Sequence, residues 1–167
     1  MRNGSTLVTG NTTSASSGGL DNRATMIVID STITDNFAAG SGGGFFNDGN
    51  LTITGSTIHA NSVGGSGAGM WIRSGTASIT NSTITGNTGS GDGLGILNQA
   101  TLTVLNSTVA GNSSTGGAGG VRDSGTISVV NTIISGNTGG NCSGTFETSV
   151  ANLSDTSACG AGFTEAD

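Results

Sequence analysis

The sequence predicts an all-β parallel β-solenoid. A fixed period, a repeated phrase and an apolar alternation that keeps phase with both carry the prediction. Asn11, Asn36, Asn61, Asn87, Asn112 and Asn137 follow one another at intervals of 25, 25, 26, 25 and 25 residues. Each closes a similar phrase: "STLVTGN", "STITDN", "STIHAN", "STITGN", "STVAGN", "TIISGN". A constant period of this length with β-branched content is the pattern of a chain wound into stacked coils. The expectation is about six coils of 25 residues over residues 1–140, three short strands per coil, then a Cys-containing C-terminal cap over residues 141–167.

One coil shows how the elements arise. In "TLTVLNSTVAGN", Leu102 and Val104 should point inward and Thr101 and Thr103 outward, because strand side chains alternate. In the next strand Ser107 and Val109 point in, and Thr108 and Ala110 out. The alternation slips by one at Asn106, and the equivalent positions are Asp30, Gly55, Asn81 and Asn131. Those residue types tolerate left-handed backbone best, so the slip is a corner.

Four apolar ladders should fill the coil. One is Met26, Leu51, Ala77, Leu102 and Ile127, and a second is Val28, Ile53, Ile79, Val104 and Val129. The others are Leu7, Ile33, Ile58, Ile84, Val109 and Ile134, and, on a third face, Leu20, Phe45, Trp71, Ile96 and Val121. Ser31, Ser56, Ser82, Ser107 and Thr132 add a small polar inward column. The repeated asparagines are read as structural: an amide at a tight turn bonds backbone groups and its own copies one coil away.

Composition removes several function classes. Only 8% of residues are charged, with four Lys plus Arg in total, so there is no basic stripe for nucleic acid. No apolar run reaches the roughly 18 residues of a membrane helix. Gly is abundant, at 32 residues, but Pro is absent and Ile and Val recur in phase, which excludes both collagen and disorder. Two cysteines and one histidine are too few for a metal site, and no cofactor is expected. The opening "MRNGSTLVTG" starts inside a repeat and lacks the apolar stretch of a signal peptide. Unpaired strand edges at that first coil invite end-to-end self-association. A disulfide is expected between Cys142 and Cys159, both beyond the last full repeat, and it implies an extracellular or cell-surface location.

"SGGGFFNDGNLTITGSTIHANS" and "LGILNQATLTVLNSTVAGNSS" resemble the coils of right-handed parallel β-helix repeat proteins, among them bacterial cell-surface repeat proteins and polymorphic outer-membrane-protein passengers. The resemblance covers about residues 4 to 140, and the tail resembles the Cys-containing caps that follow such repeats. It implies a right-handed coil, in keeping with the hand of parallel crossovers. It also implies functions ranging from adhesins and anchored surface proteins to relatives of polysaccharide lyases.

The outward columns supply the candidate sites. Thr6, Thr32, Thr57, Thr83 and Thr108, flanked by Thr34 and Thr85, form one expected flat face. Thr25, Thr76, Thr101 and Thr126, beside Thr52 and Thr103, form a second. Strands about 4.8 Å apart turn such columns into a two-dimensional grid. Phe46, Ile72 and Leu97 are expected to make an exposed apolar patch. The acids are scattered, and no nucleophile motif lies near His59, the lone histidine. The function expected is therefore non-catalytic: a surface or adhesion-type scaffold that binds a cell-surface component or glycan. Ice is the alternative ligand, since these threonine arrays resemble those of β-solenoid antifreeze proteins. A polysaccharide-active enzyme of pectate-lyase-like fold is the remaining alternative.

Overall fold

The computed structural model describes residues 5–156 and 159–165. It is a parallel β-solenoid of about 5 coils, with essentially no helix. All strand pairs are parallel, and each strand of the repeats pairs with its copy one coil away, so the described residues form four sheets along the coil axis. Sheet I is built from the Leu20–Asn22, Phe45–Asn47, Met70–Ile72, Ile96–Asn98, Val121–Asp123 and Cys142–Ser143 strands. Sheet II takes the five-residue strands Thr25–Ile29, Asn50–Thr54, Thr76–Thr80, Thr101–Leu105 and Thr126–Val130, and then Thr148–Val150. Sheet III runs through eight strands, from Leu7–Thr9 and Thr32–Thr34 to Asn152–Ser154 and Phe163–Glu165. Sheet IV consists of two-residue strands such as Phe37–Ala38 and Ser62–Val63.

Each coil therefore has four strands where the sequence predicts three. The fourth follows the repeated asparagine and is only two residues long, too short to leave a period in the sequence. The corner is where the slip in alternation puts it: Asp30, Asn81, Asn106 and Asn131 have φ between 46 and 51°, and Gly55 has φ 61°. A second left-handed corner precedes each asparagine, at Gly10, Asp35, Ala60, Gly86, Gly111 and Gly136. Two such corners bracket the sheet III strand and aim it across the coil.

The core is a stack of like on like. Ile53, Ile79, Val104 and Val129 are buried, as are Ile33, Ile58, Ile84, Val109 and Ile134. Two ladders differ from expectation. The phrase "STLVTGN" is one residue longer than its copies, and Val8, not Leu7, pairs with Ile33. Leu7 points out and is 63% exposed. On sheet I, Met70 takes the inward place expected for Trp71, pairing with Phe45 and Ile96. The extra residue of the 26-residue coil lies after Ile72: Ile72 pairs with Asn47, 25 residues back, whereas Thr76 pairs with Asn50, 26 back. Spacing alone reports an insertion per coil, not its place within the coil.

Polar ladders run beside the apolar ones. Asn36 Nδ2 donates to Asn61 Oδ1 (2.9 Å), Asn61 to Asn87 (3.1 Å), Asn87 to Asn112 (2.9 Å) and Asn112 to Asn137 (3.0 Å). Each Oδ1 also accepts the preceding asparagine's backbone N–H, and each Nδ2 also reaches a main-chain carbonyl, such as that of Ile33 or Ile58. In the serine column, the backbone N–H of one coil donates to the next hydroxyl, from Ser31 to Ser56, Ser82, Ser107 and Thr132. Among the described residues, no buried side-chain nitrogen or oxygen lacks a partner. A core this polar is stable only under that condition.

The C-terminal segment continues three of the sheets. Cys142 extends the inward sheet I ladder beyond Val121 and is bridged to Cys159 across 17 residues. Phe146 and Phe163 meet edge to face, 5.9 Å between centroids, against the same core.

Candidate functional site

Three outward faces can be compared residue by residue. On sheet III, Thr32, Thr57, Thr83 and Thr108 stand in register and are half-buried. Thr6 does not join them. Register places Leu7 opposite Thr32, while Thr6 accepts the Thr32 N–H on its carbonyl and lies level with Ser31. The column thus reads Leu7, Thr32, Thr57, Thr83, Thr108, Ile133, Leu153 and Thr164, so the run of four threonines has an apolar neighbour on each side. Beside it, the hydroxyl column Thr9, Thr34, Thr85 and Ser135 is interrupted by His59 and Ala110. Thr34 is buried, and its hydroxyl bonds Asp35 (2.9 Å) and His59 Nδ1 (3.3 Å).

Sheet II is wider and more open. Thr25, Asn50, Thr76, Thr101 and Thr126 align and are all exposed, and the Thr76 hydroxyl donates to Asn50 Oδ1 (3.0 Å). Next to them stand Ile27, Thr52, Ser78, Thr103 and Ser128, with Thr52 and Thr103 exposed. A third column, not expected from the alternation, holds Ile29, Thr54, Thr80, Leu105, Val130 and Val150. These positions directly precede the left-handed corner and look in the sequence like part of the turn. A strand of five residues puts three side chains outward where a strand of three puts two. No strand of this sheet contains a charged residue.

The apolar patch expected at Phe46, Ile72 and Leu97 does not form. Ile72 points inward and is fully buried, because Trp71 occupies the outward position between Phe46 and Leu97. Phe46 and Leu97 do point outward but are only 3% and 8% exposed. The turns at Gly42 and Gly93 fold over them: a Cβ on Gly42 would stand 3.2 Å from Phe46 Cβ, and one on Gly93 2.9 Å from Leu97 Cα.

What remains on sheet I is an aromatic and ionic cluster. The Phe46 and Trp71 rings meet edge to face at 5.1 Å. The Arg73 guanidinium lies 4.9 Å from the Phe46 centroid and 5.8 Å from that of Trp71, and Arg23 lies 5.6 Å from Phe46. Arg73 is paired with Asp48, Arg23 with Asp21 and, further along, Arg122 with Asp92. Trp71 Nε1 donates to Gln99 Oε1 at 2.9 Å. The sequence signal for this cluster was the position of the single inserted residue, which spacing could not locate.

Of the acids, Asp123 is buried, and desolvation raises its pKa against the opposing effect of the Asn98 amide, which donates to it at 2.6 Å. Asp155 is held below the ordinary carboxylate range by hydrogen bonds from the Asn141 amide and the Gly136 N–H. Among the described residues, no three His, Cys, Asp or Glu side chains gather as metal ligands, and no helix is long and apolar enough to cross a membrane. At the first coil, the inward ladders begin in an open recess lined by Val8, Leu20, Met26, Val28 and Ile33.

No protein-family model, no curated protein and no solved structure matches the chain.

Proposed function

We propose that the chain is a non-catalytic binding scaffold whose sheet II face meets an extended, uncharged surface, such as a cell-surface polymer. The observation that supports this is the three-column grid itself. It is regular in both directions, rich in hydroxyls and free of charge over five consecutive coils. A flat array of hydroxyl and methyl groups gains by touching many equivalent positions of a repeating ligand, each weakly. This reading moves the contact from the sheet III threonines to Thr25, Thr52, Thr76, Thr101, Thr103 and Thr126.

Ice is the second reading. It is favoured by the exposed Thr76, Thr101 and Thr126 run, where identical side chains repeat at the strand spacing of about 4.8 Å. One experiment separates the two. Wild-type protein and a Thr52→Lys, Thr103→Lys double variant are assayed for depletion onto insoluble polysaccharide particles and for thermal hysteresis. Retention on a polymer that drops at least tenfold in the double variant, with unchanged circular dichroism, supports the scaffold. Hysteresis lost in the same variant supports ice. Neither retention nor hysteresis in the wild type would sink both.

A further inference from the structure

We infer that the cluster around Trp71 is a saccharide-binding site for a neutral sugar chain, separate from the sheet II face and independent of what that face binds. In a repeat protein, a position that serves the fold carries the same chemistry coil after coil. Every other outward strand column here repeats at least one residue type. The outward column of sheet I does not: it reads Asp21, Phe46, Trp71, Leu97, Arg122, Ser143. Its centre coincides with the one inserted residue, within Arg73–Gly75, and with the only Trp and only Gln of the chain. Departures from a repeat that gather at one spot need a reason the repeat does not supply.

The chemistry at that spot suits a sugar ring. A half-buried indole offers an apolar platform for the C–H face of a pyranose, and the Phe46 ring packs against it nearly at a right angle. Planar hydrogen-bonding groups surround it and are already oriented. Arg73 Nε donates to Asp48 Oδ1 at 2.7 Å, its Nη2 is engaged by Asp48 Oδ2, and the Ser74 hydroxyl donates to Asp48 Oδ1 at 3.2 Å. Among the described residues, neither Arg73 Nη1 nor the Gln99 amide nitrogen has a hydrogen-bond partner, so both can donate to sugar hydroxyls. The two arginines and two aspartates of the cluster cancel in charge, which selects a neutral chain over a uronate. Orientation fixed before binding lowers the entropy cost of holding a flexible ligand.

The single tryptophan makes the site directly readable. Intrinsic fluorescence of the full chain is titrated with cellohexaose, xylohexaose and mannohexaose, and with trigalacturonate and an unrelated decapeptide as comparisons. The expected result is a saturable change in emission with at least one neutral hexasaccharide and none with the comparisons. Arg73→Lys keeps the charge but loses the planar fork, and Gln99→Ala removes the free amide. Each should weaken binding at least fivefold with the melting temperature recorded alongside, whereas Thr103→Lys on sheet II should leave it unchanged. A variant that melts like wild type and binds as tightly overturns the proposal. So does a response confined to the acidic saccharide or the peptide, or no response to any neutral hexasaccharide.

Discussion

Two asparagine ladders run through this molecule, and only one of them is continuous. The first links Asn11 through Asn137 without a break and passes to Asn141, whose amide reaches the Ser154 hydroxyl at 2.9 Å. The second begins the same way, with Asn22 Nδ2 donating to Asn47 Oδ1 at 2.7 Å, but meets Ile72 at the third coil. It resumes with Asn98, whose amide donates to Asp123. At the break, Asn47 turns its amide to the carbonyls of Gly49 (2.9 Å) and Ser74 (3.1 Å), the latter within the inserted stretch. A buried amide tolerates the loss of its copy only if the backbone nearby supplies replacement acceptors. Asn22 and Asn98, in 25-residue coils, reach backbone carbonyls too but keep a side-chain acceptor beside them, so of the three amides only that of Asn47 relies on the backbone alone.

The largest expected effect comes from breaking the continuous ladder. Asn87→Leu removes the acceptor of the Asn61 N–H and amide and the donor to the Ile58 carbonyl and Asn112. Several buried groups lose partners at once, so stability should fall by about 3–5 kcal/mol, read as a shift of the urea midpoint. The ladder ends one residue before the disulfide, and replacing both Cys142 and Cys159 with Ser should cost about 3 kcal/mol by freeing a 17-residue loop. Because coils couple mainly to their neighbours, hydrogen exchange should rise first in the strands around Cys142, Val150 and Leu153.

Repairing the interrupted ladder is a milder change. Ile72→Asn gives up a fully buried side chain but can receive the Asn47 amide and donate toward Asn98. The net loss should be about 1–2 kcal/mol, below the 2–5 kcal/mol of an unrepaired Ile→Ala truncation, so Ile72→Ala is the comparison to melt beside it. A cost equal to that of Ile72→Ala would show that no ladder bond forms.

The smallest effect is at the end of the second ladder, where Asp123 stands in an asparagine's place. Its folded pKa is raised, so the folded state holds its proton at pH values where the unfolded chain has released it. The ionised form therefore penalises folding: the penalty appears as pH rises from the ordinary Asp value through the folded pKa and is fully present above it. Asp123→Asn should melt slightly higher than wild type at pH 7, and the difference should shrink as pH falls toward 4. Melting curves of the two proteins at both pH values check this, and a gap that widens on acidification would contradict it.

Much of the fold was determined by the sequence alone. Period, corner positions and most inward ladders follow from local rules: alternation along a strand, the left-handed tolerance of Gly, Asn and Asp, and the stacking of like on like. Ile79, Val104 and Asn106 sit where those rules put them because each rule acts within a few residues.

Tertiary structure decided what local rules leave free. An insertion can be taken up anywhere in a coil, and only the pairing of Ile72 with Asn47 and Thr76 with Asn50 fixes where. That choice turned Trp71 outward beside Arg73, buried Ile72 and created the cluster. Whether an outward side chain is exposed depends on what folds over it. The turns at Gly42 and Gly93 cover Phe46 and Leu97, and nothing in those two residues' own neighbourhood of the sequence says so. Strand length made the last decision. Pairing that extends through Leu105 gives sheet II its third column, since a coil's width is set by how far neighbouring coils keep register, a property of the stack and not of any one repeat.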